Sequence, residues 1–242
     1  MSGILTTEEL QGVWSRDWIE ANGQRSNESK VFWAQAGDLF VDIRIPHQRP
    51  DVSSISCLAD LSQEQLDQLL KAEGFAGHID LTDSVCTWHR EINWHGPPTD
   101  IDAGALHIDS NAGLIETGVH ASYTEQWQHF AKTPFKAHRV TAADVHGIVL
   151  LSDNYFFLGA GIPVAQQHQS GCAEKTEASA ARHFTSEYIF GHWNGTSGIA
   201  DLHTNPLSEK TEVIRSEAGD LFWYRQDYYG VAVKTRLNCI PV

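Results

Sequence analysis

Basic residues are scarce in this chain. Over 242 residues, 17 Lys and Arg stand against 31 Asp and Glu, a formal net charge of −14. No segment concentrates the Lys and Arg, so the surface repels phosphate backbones and nucleic acid is excluded as a partner. Long apolar runs are missing too. None approaches the roughly 18 to 20 residues that span a bilayer, so no membrane partner is expected. The opening Met1-Ser2-Gly3-Ile4-Leu5-Thr6-Thr7-Glu8-Glu9 has neither the basic nor the apolar region of a secretory signal. Cysteine is sparse, and Cys57, Cys86, Cys172 and Cys239 show no metal or redox spacing. They read as reduced core thiols in a cytoplasmic protein. Helix signals are few. Residues 6–11 make at most one turn. Residues 62–73 read as a helix, with Ser62 as cap, Leu66, Leu69 and Leu70 on one face and Gly74 as stop.

What is present is period-two alternation. Segments 12–19, 29–35, 39–45, 85–95, 105–109, 114–120 and 123–129 read as strands, as do 145–151, 155–159, 184–193, 199–203, 210–215, 221–225 and 230–238. Turn residues recur between them. Roughly fifteen short strands predict an all-β fold of antiparallel up-and-down barrels, two rather than one. The first half is placed at 1–134 with the short helix, the second at 135–242 with a mobile loop at 165–182. Ala-Gly-Asp-Leu-Phe occurs at 36–40 and again at 218–222. That repeat reflects either a shared hairpin turn or a duplication.

Gly12-Val13-Trp14, followed by this run of strands, resembles the lipocalin-like (calycin) superfamily, in its two-barrel cytosolic form. The resemblance implies a cup for a small apolar molecule, with the Trp across the closed end and an Arg stacked on it. It carries no catalytic residue over.

Candidate chemistry collects in the first half, which holds six of the eight Trp on strands beside Glu and Arg. In the strand at 88–95, period two puts Trp88, Arg90, Ile92 and Trp94 on one face and His89, Glu91, Asn93 and His95 on the other. Downstream, Glu116, Gly118 and His120 share a face, as do Tyr123, Glu125 and Trp127. Asp42 and Arg44 lie opposite aliphatic neighbours. An inward lattice of Arg44, His89 or Arg90, Glu91, Glu116, His120, Tyr123 and Glu125 would hold carboxylates in contrasting surroundings. Such an arrangement presents an acid and a base together near neutral pH. The catalytic candidates are Glu91, Glu116, His120 and Tyr123. Arg44, Trp88, His89, Arg90, Glu125 and Trp127 are the substrate-binding candidates.

The expected function is binding of a small hydrophobic or aromatic molecule with cofactor-independent acid/base catalysis of lyase, isomerase or hydratase type. The alternatives are a non-catalytic carrier or sensor, a structural partner protein, and a metal enzyme built on His89-x-Glu91 with His107 or His120. No cofactor and no bound metal are expected, and a homodimer is left open. In the second half, Glu187, Ile189, Gly191 and Trp193 share one strand face, read as barrel core with satisfied Tyr and His around it.

Overall fold

The computed structural model describes residues 4–142, 145–167 and 176–241. Two antiparallel barrels of eight strands each make up the chain, with three short helices among the described residues. The first begins with α1 (Thr7–Leu10) and runs through β1 (Gly12–Ala21), β2 (Gln24–Ser26), β3 (Ser29–Ala36) and β4 (Leu39–Pro46) to α2 (Gln63–Leu69). It continues as β5 (Glu73–Thr82), β6 (Val85–Asn93), β7 (Ala103–Ile108), β8 (Leu114–Gly118) and β9 (Tyr123–Ala131). Each strand from β3 onward pairs with its neighbour in sequence, and β9 returns to β1 to close the ring, while β2 extends β1 as a short hairpin.

The second barrel is β10 (Lys136–Ala142), β11 (Val145–Leu151), β12 (Tyr155–Gly161), α3 (Glu177–His183), β13 (Glu187–Trp193), β14 (Ser197–His203), β15 (Glu212–Glu217), β16 (Asp220–Gln226) and β17 (Ala232–Pro241). Here β17 pairs with β10. The expected loop at 165–182 contains α3, and 168–175, with Cys172, lie outside the described residues.

Besides the short β2, two strands are invisible to alternation. One is β10. The other is β5, which carries two glycines, a residue depleted in strands. Gly74, read from sequence as a helix stop, lies inside β5. The helix instead ends at Leu70. Both β5 glycines are required by close approach. A Cβ on Gly74 would sit 2.2 Å from the Tyr188 ring of the second barrel, and one on Gly77 would sit 1.8 Å from the His89 carbonyl oxygen.

The barrels pack through their outer walls. Leu39, Val41, Ile43 and Ile45 of β4 meet Ile148, Leu150, Phe157, Tyr188 and Phe190 in one buried cluster. Each barrel also has its own interior core. The repeated pentapeptide serves two hairpins in different registers. Ala36 pairs with Leu39, so Gly37 and Asp38 form the loop, whereas Glu217 pairs with Asp220 and the loop is Ala218-Gly219. The shift of one residue sends Phe40 inward in the first barrel and Leu221 inward in the second.

At one end the first barrel is closed by α1. Trp14 is fully buried there and donates its indole N–H to the Leu10 carbonyl at 2.8 Å. The ring stacked on it is His129, centroids 3.5 Å apart, where the resemblance implies an Arg. Trp14→Phe is expected to cost about 1–3 kcal/mol by orphaning that carbonyl. It should also release α1, read as lost amide-exchange protection over residues 7–10. The thiols divide more widely than expected: Cys86 is buried, Cys57 is intermediate and Cys239 is exposed.

Candidate functional site

Towards its other end the first barrel encloses a cavity of about 150 Å³. Trp33, Trp88, Trp127 and Phe75 supply its walls, and Asp42, Arg44, Arg90, Asp102, Glu116, Tyr123 and Glu125 supply its polar groups. Period two puts Phe40, Asp42 and Arg44 inside from β4, Leu114 and Glu116 from β8, and Tyr123, Glu125 and Trp127 from β9.

Three guanidinium groups organise the polar side. The Arg44 guanidinium donates to Asp42 at 2.9 Å and lies 3.8 Å from Glu125. Arg16, 8% exposed, pairs closely with Glu125, 2% exposed. Arg90 donates to Asp102 at 2.6 and 3.0 Å. Its guanidinium also lies 3.7 Å from the Phe75 ring centroid, a cation–π contact.

These three cations face four carboxyl groups, and Glu116 is the one without a cation. It accepts hydrogen bonds from the Tyr123 hydroxyl at 2.7 Å and the Trp127 indole N–H at 3.2 Å. Burial, reinforced by the Glu125 charge, pushes its pKa up to about 8. Burial also raises Asp42, against the pull of Arg44. Tyr123 is raised well above the phenolic range by burial and by Glu116. At neutral pH the Glu116 carboxyl is therefore protonated. The 2.7 Å contact can then run from Glu116 to Tyr123, which frees the phenolic proton to point into the cavity.

Of the residues singled out in the sequence, Glu116, Tyr123, Arg44, Trp88, Arg90, Glu125 and Trp127 line this cavity. Glu91, His89 and His120 do not. On β6, alternation from the inward Trp88 and Arg90 points His89 and Glu91 outward; beyond them a bulge, in which Ala76 pairs with Ile92 and Gly77 with Arg90, leaves Glu91 unpaired. The alternation is broken there. Trp88 and Arg90 point inward, while Ile92 and Trp94 belong to the cluster between the barrels. Glu91 bridges outward to His78 at 2.8 Å and to Arg139 of β10, and its pKa is lowered by these partners against the cost of burial. His89 stacks on His78, with centroids 4.6 Å apart, and contacts Asp80 at 2.8 Å. His120 is exposed beyond the end of β8. Neither His107 nor His120 joins the His89–Glu91 pair. Among the described residues no group of three or more His, Cys, Asp or Glu is placed to hold a metal ion.

Arg16, Phe75 and Asp102 are not legible as site residues in the sequence. Asp102 precedes β7 in a segment without regular structure, and Phe75 lies on the unrecognised β5. Arg16 sits beside a second bulge, between Arg16 and Trp18. Alternation carries Arg16 inward after Trp14, where it meets Glu125; the bulge beyond it takes Trp18 off that face and turns its indole onto Gln126.

The second barrel buries a polar cluster of its own. Glu187 is 1% exposed and, among the described residues, neither of its carboxyl oxygens has a hydrogen-bond partner. Burial raises its pKa to about 8, with Arg225 and the Trp223 indole pulling the other way. His203 Nε2 lies 3.7 Å away, while Nδ1 accepts from the Asn205 N–H at 2.8 Å. Burial, helped by Arg49, lowers His203 to about 3. The expectation of satisfied Tyr and His fails here, since the Tyr188 hydroxyl and His203 Nε2 lack hydrogen-bond partners among the described residues.

The fold and the cavity together define an all-β, double-barrel architecture compatible with ligand binding. No family model matches the chain. No curated protein matches it significantly in sequence. Among solved structures it is similar to the crystal structure of the uncharacterized protein YLR301w from Saccharomyces cerevisiae, at 11% identity and a TM-score of 0.52, over 96% of this chain and 98% of that one. That likeness extends across both barrels and concerns the fold alone. No helix among the described residues is long and apolar enough to cross a membrane.

Proposed function

We propose that the first barrel binds a small, flat molecule carrying an acceptor oxygen and transfers protons to or from it, as a cofactor-independent lyase or isomerase does. The observation that carries this reading is Glu116: a buried carboxyl held near pKa 8, 2.7 Å from the Tyr123 hydroxyl, at the wall of an indole-lined cavity. A group poised near the working pH is suited to both directions of proton transfer. Glu116 is the proton reservoir and Tyr123 the group that delivers it. Arg44 and Arg90 position the ligand, and the rings of Trp33, Trp88 and Trp127 supply area for a flat body. The lipocalin-like resemblance fits this reading through Trp14 at the closed end, and the cytoplasm is the proposed setting.

Incubation with a pooled small-molecule extract in deuterated water tests the proposal. The expected result is deuterium at a carbon position of at least one compound with wild type, reduced at least about 100-fold in Glu116→Gln, within the range of general acid–base effects. Incorporation that is equal in wild type, Glu116→Gln and Tyr123→Phe sinks the reading. A compound retained through native mass spectrometry but never labelled replaces it with the carrier alternative.

A further inference from the structure

A second groove lies where the barrels meet, on the outside of the first one. Its volume is about 420 Å³. The floor is aromatic. Phe32 and Phe190 lie 4.6 Å apart between centroids, and Phe130 meets both edge-on at 5.2 and 5.7 Å. Phe130 is 46% exposed, which is unusual for a Phe with such neighbours. Alternation from the inward Trp127 and His129 points Phe130 outward, and because Val13 pairs with Ala131 and Trp14 with His129 it is also the unpaired extra residue of a bulge.

The rim is cationic in a chain of net charge −14. Lys30 and Lys210 both line the groove and both are exposed. The one acidic lining residue, Asp201, is already held by Lys210 at 2.7 Å and by His192. The Lys30 ammonium has no hydrogen-bond or ion-pair partner among the described residues.

We infer that this junction groove binds an aromatic anion, a flat apolar body with a carboxylate, sulfonate or phosphate group. The body lies on Phe32, Phe130 and Phe190, and the anionic group meets Lys30. Flat rings offset or edge-on to Phe make favourable contacts, and the local positive charge within a negative surface selects the anion. A neutral ligand would leave the Lys30 charge unused. A cation would be repelled by it.

Anilinonaphthalene sulfonate is the probe, followed by its own fluorescence, with phenylnaphthylamine as the uncharged counterpart. Wild type is expected to bind one equivalent of the sulfonate and to bind the uncharged probe at least about tenfold more weakly, a difference of about 1.4 kcal/mol. Lys30→Glu and Phe130→Ser should each raise the Kd of the sulfonate about tenfold, with circular dichroism unchanged. Arg90→Met, inside the first barrel and not part of the groove's lining, should leave that Kd within about twofold. Equal affinity for the two probes overturns the inference. So does a Kd that responds to Arg90→Met and not to Lys30→Glu, because the probe then occupies the first barrel. If Phe130→Ser perturbs the fold, Lys30→Glu and the comparison of the two probes decide the matter alone.

Discussion

Raising the pH from 6.5 to 8 is expected to destabilise this protein by about 2 kcal/mol, and Glu116→Gln is expected to remove most of that loss. Glu116 and Glu187 both have folded-state pKa values raised to about 8, from an ordinary value of 4.5. A carboxyl raised in this way binds more protons in the folded state than in the unfolded one. Its contribution is complete below pH 4.5 and is lost as the pH climbs towards 8. His129 and His183, lowered to about 4, and His203, lowered to about 3, act in the opposite sense. Their contribution is present above 6.5 and is lost on acidification.

Below 6.5 the two sets oppose each other in full, while between 6.5 and 8 the three histidines, half protonated in the unfolded chain at 6.5, return only about 1 kcal/mol in all against the larger loss from the carboxyls. Each raised carboxyl loses about 1.5 kcal/mol across the window, because the slope of about 1.4 kcal/mol per pH unit flattens as the pH reaches the folded pKa. Urea denaturation at about pH 6.5, 7.2 and 8 measures it. Glu187→Gln should remove a similar amount, and the double variant should gain about 1 kcal/mol across the window from the histidines. A wild-type midpoint that stays level or rises across this window contradicts the protonated state assigned to Glu116, and with it the proton-transfer role.

Replacing Gly77 with Ala is expected to cost about 3 kcal/mol or more, at the upper end of overpacking effects. The added Cβ would stand 1.8 Å from the His89 carbonyl oxygen and 3.0 Å from the Glu91 backbone nitrogen. Both contacts are to backbone, which cannot rotate aside. They fall on the bulge that follows the inward Arg90 and turns Ile92 out to the second barrel. The variant therefore has to unpair β5 from β6 or lose the bulge. Either change moves Arg90 away from Asp102 and Phe75. Gly219→Ala is the comparison, since nothing lies within 4 Å of its Cβ and only its φ of +89° is strained. It should cost about 1 kcal/mol. Thermal unfolding of the two variants side by side checks the prediction, and equal losses would show that the bulge does not require glycine.

Much of the site is legible in the sequence. Where a strand is regular, alternation alone places its residues: Asp42 and Arg44 opposite the aliphatic side of β4, and Tyr123, Glu125 and Trp127 together on β9. The inward set fails wherever a bulge intervenes. In β6 the polar stripe His89, Glu91, Asn93 and His95 looks like one face. The extra residue Glu91 divides it: His89 and Glu91 stay outside, Glu91 on Arg139 of the second barrel, while Asn93 accepts from Arg90 and Ile92 and Trp94 turn out. The same kind of irregularity takes Trp18 off the face of Arg16 and leaves Phe130 unpaired. β5 escapes notice because its two glycines read as a break. Their reason for being there is the Tyr188 ring and the His89 carbonyl, neither of them adjacent in sequence.

Composition and period two therefore determine the class of this protein: all-β, two barrels, with polar residues and indoles on shared strand faces in the first half. These follow from local side-chain chemistry, which a sequence displays directly. The tertiary structure decides which residues meet. An unpaired residue in a ladder reverses every face beyond it, and nothing local announces it. It also decides the charge state of Glu116, because a carboxyl's pKa depends on burial and on the guanidinium groups its neighbours have already claimed. In sequence, Arg16, Arg44, Arg90, Asp42, Asp102, Glu116 and Glu125 are simply charges. Barrel closure pairs three against three and leaves Glu116 holding a proton.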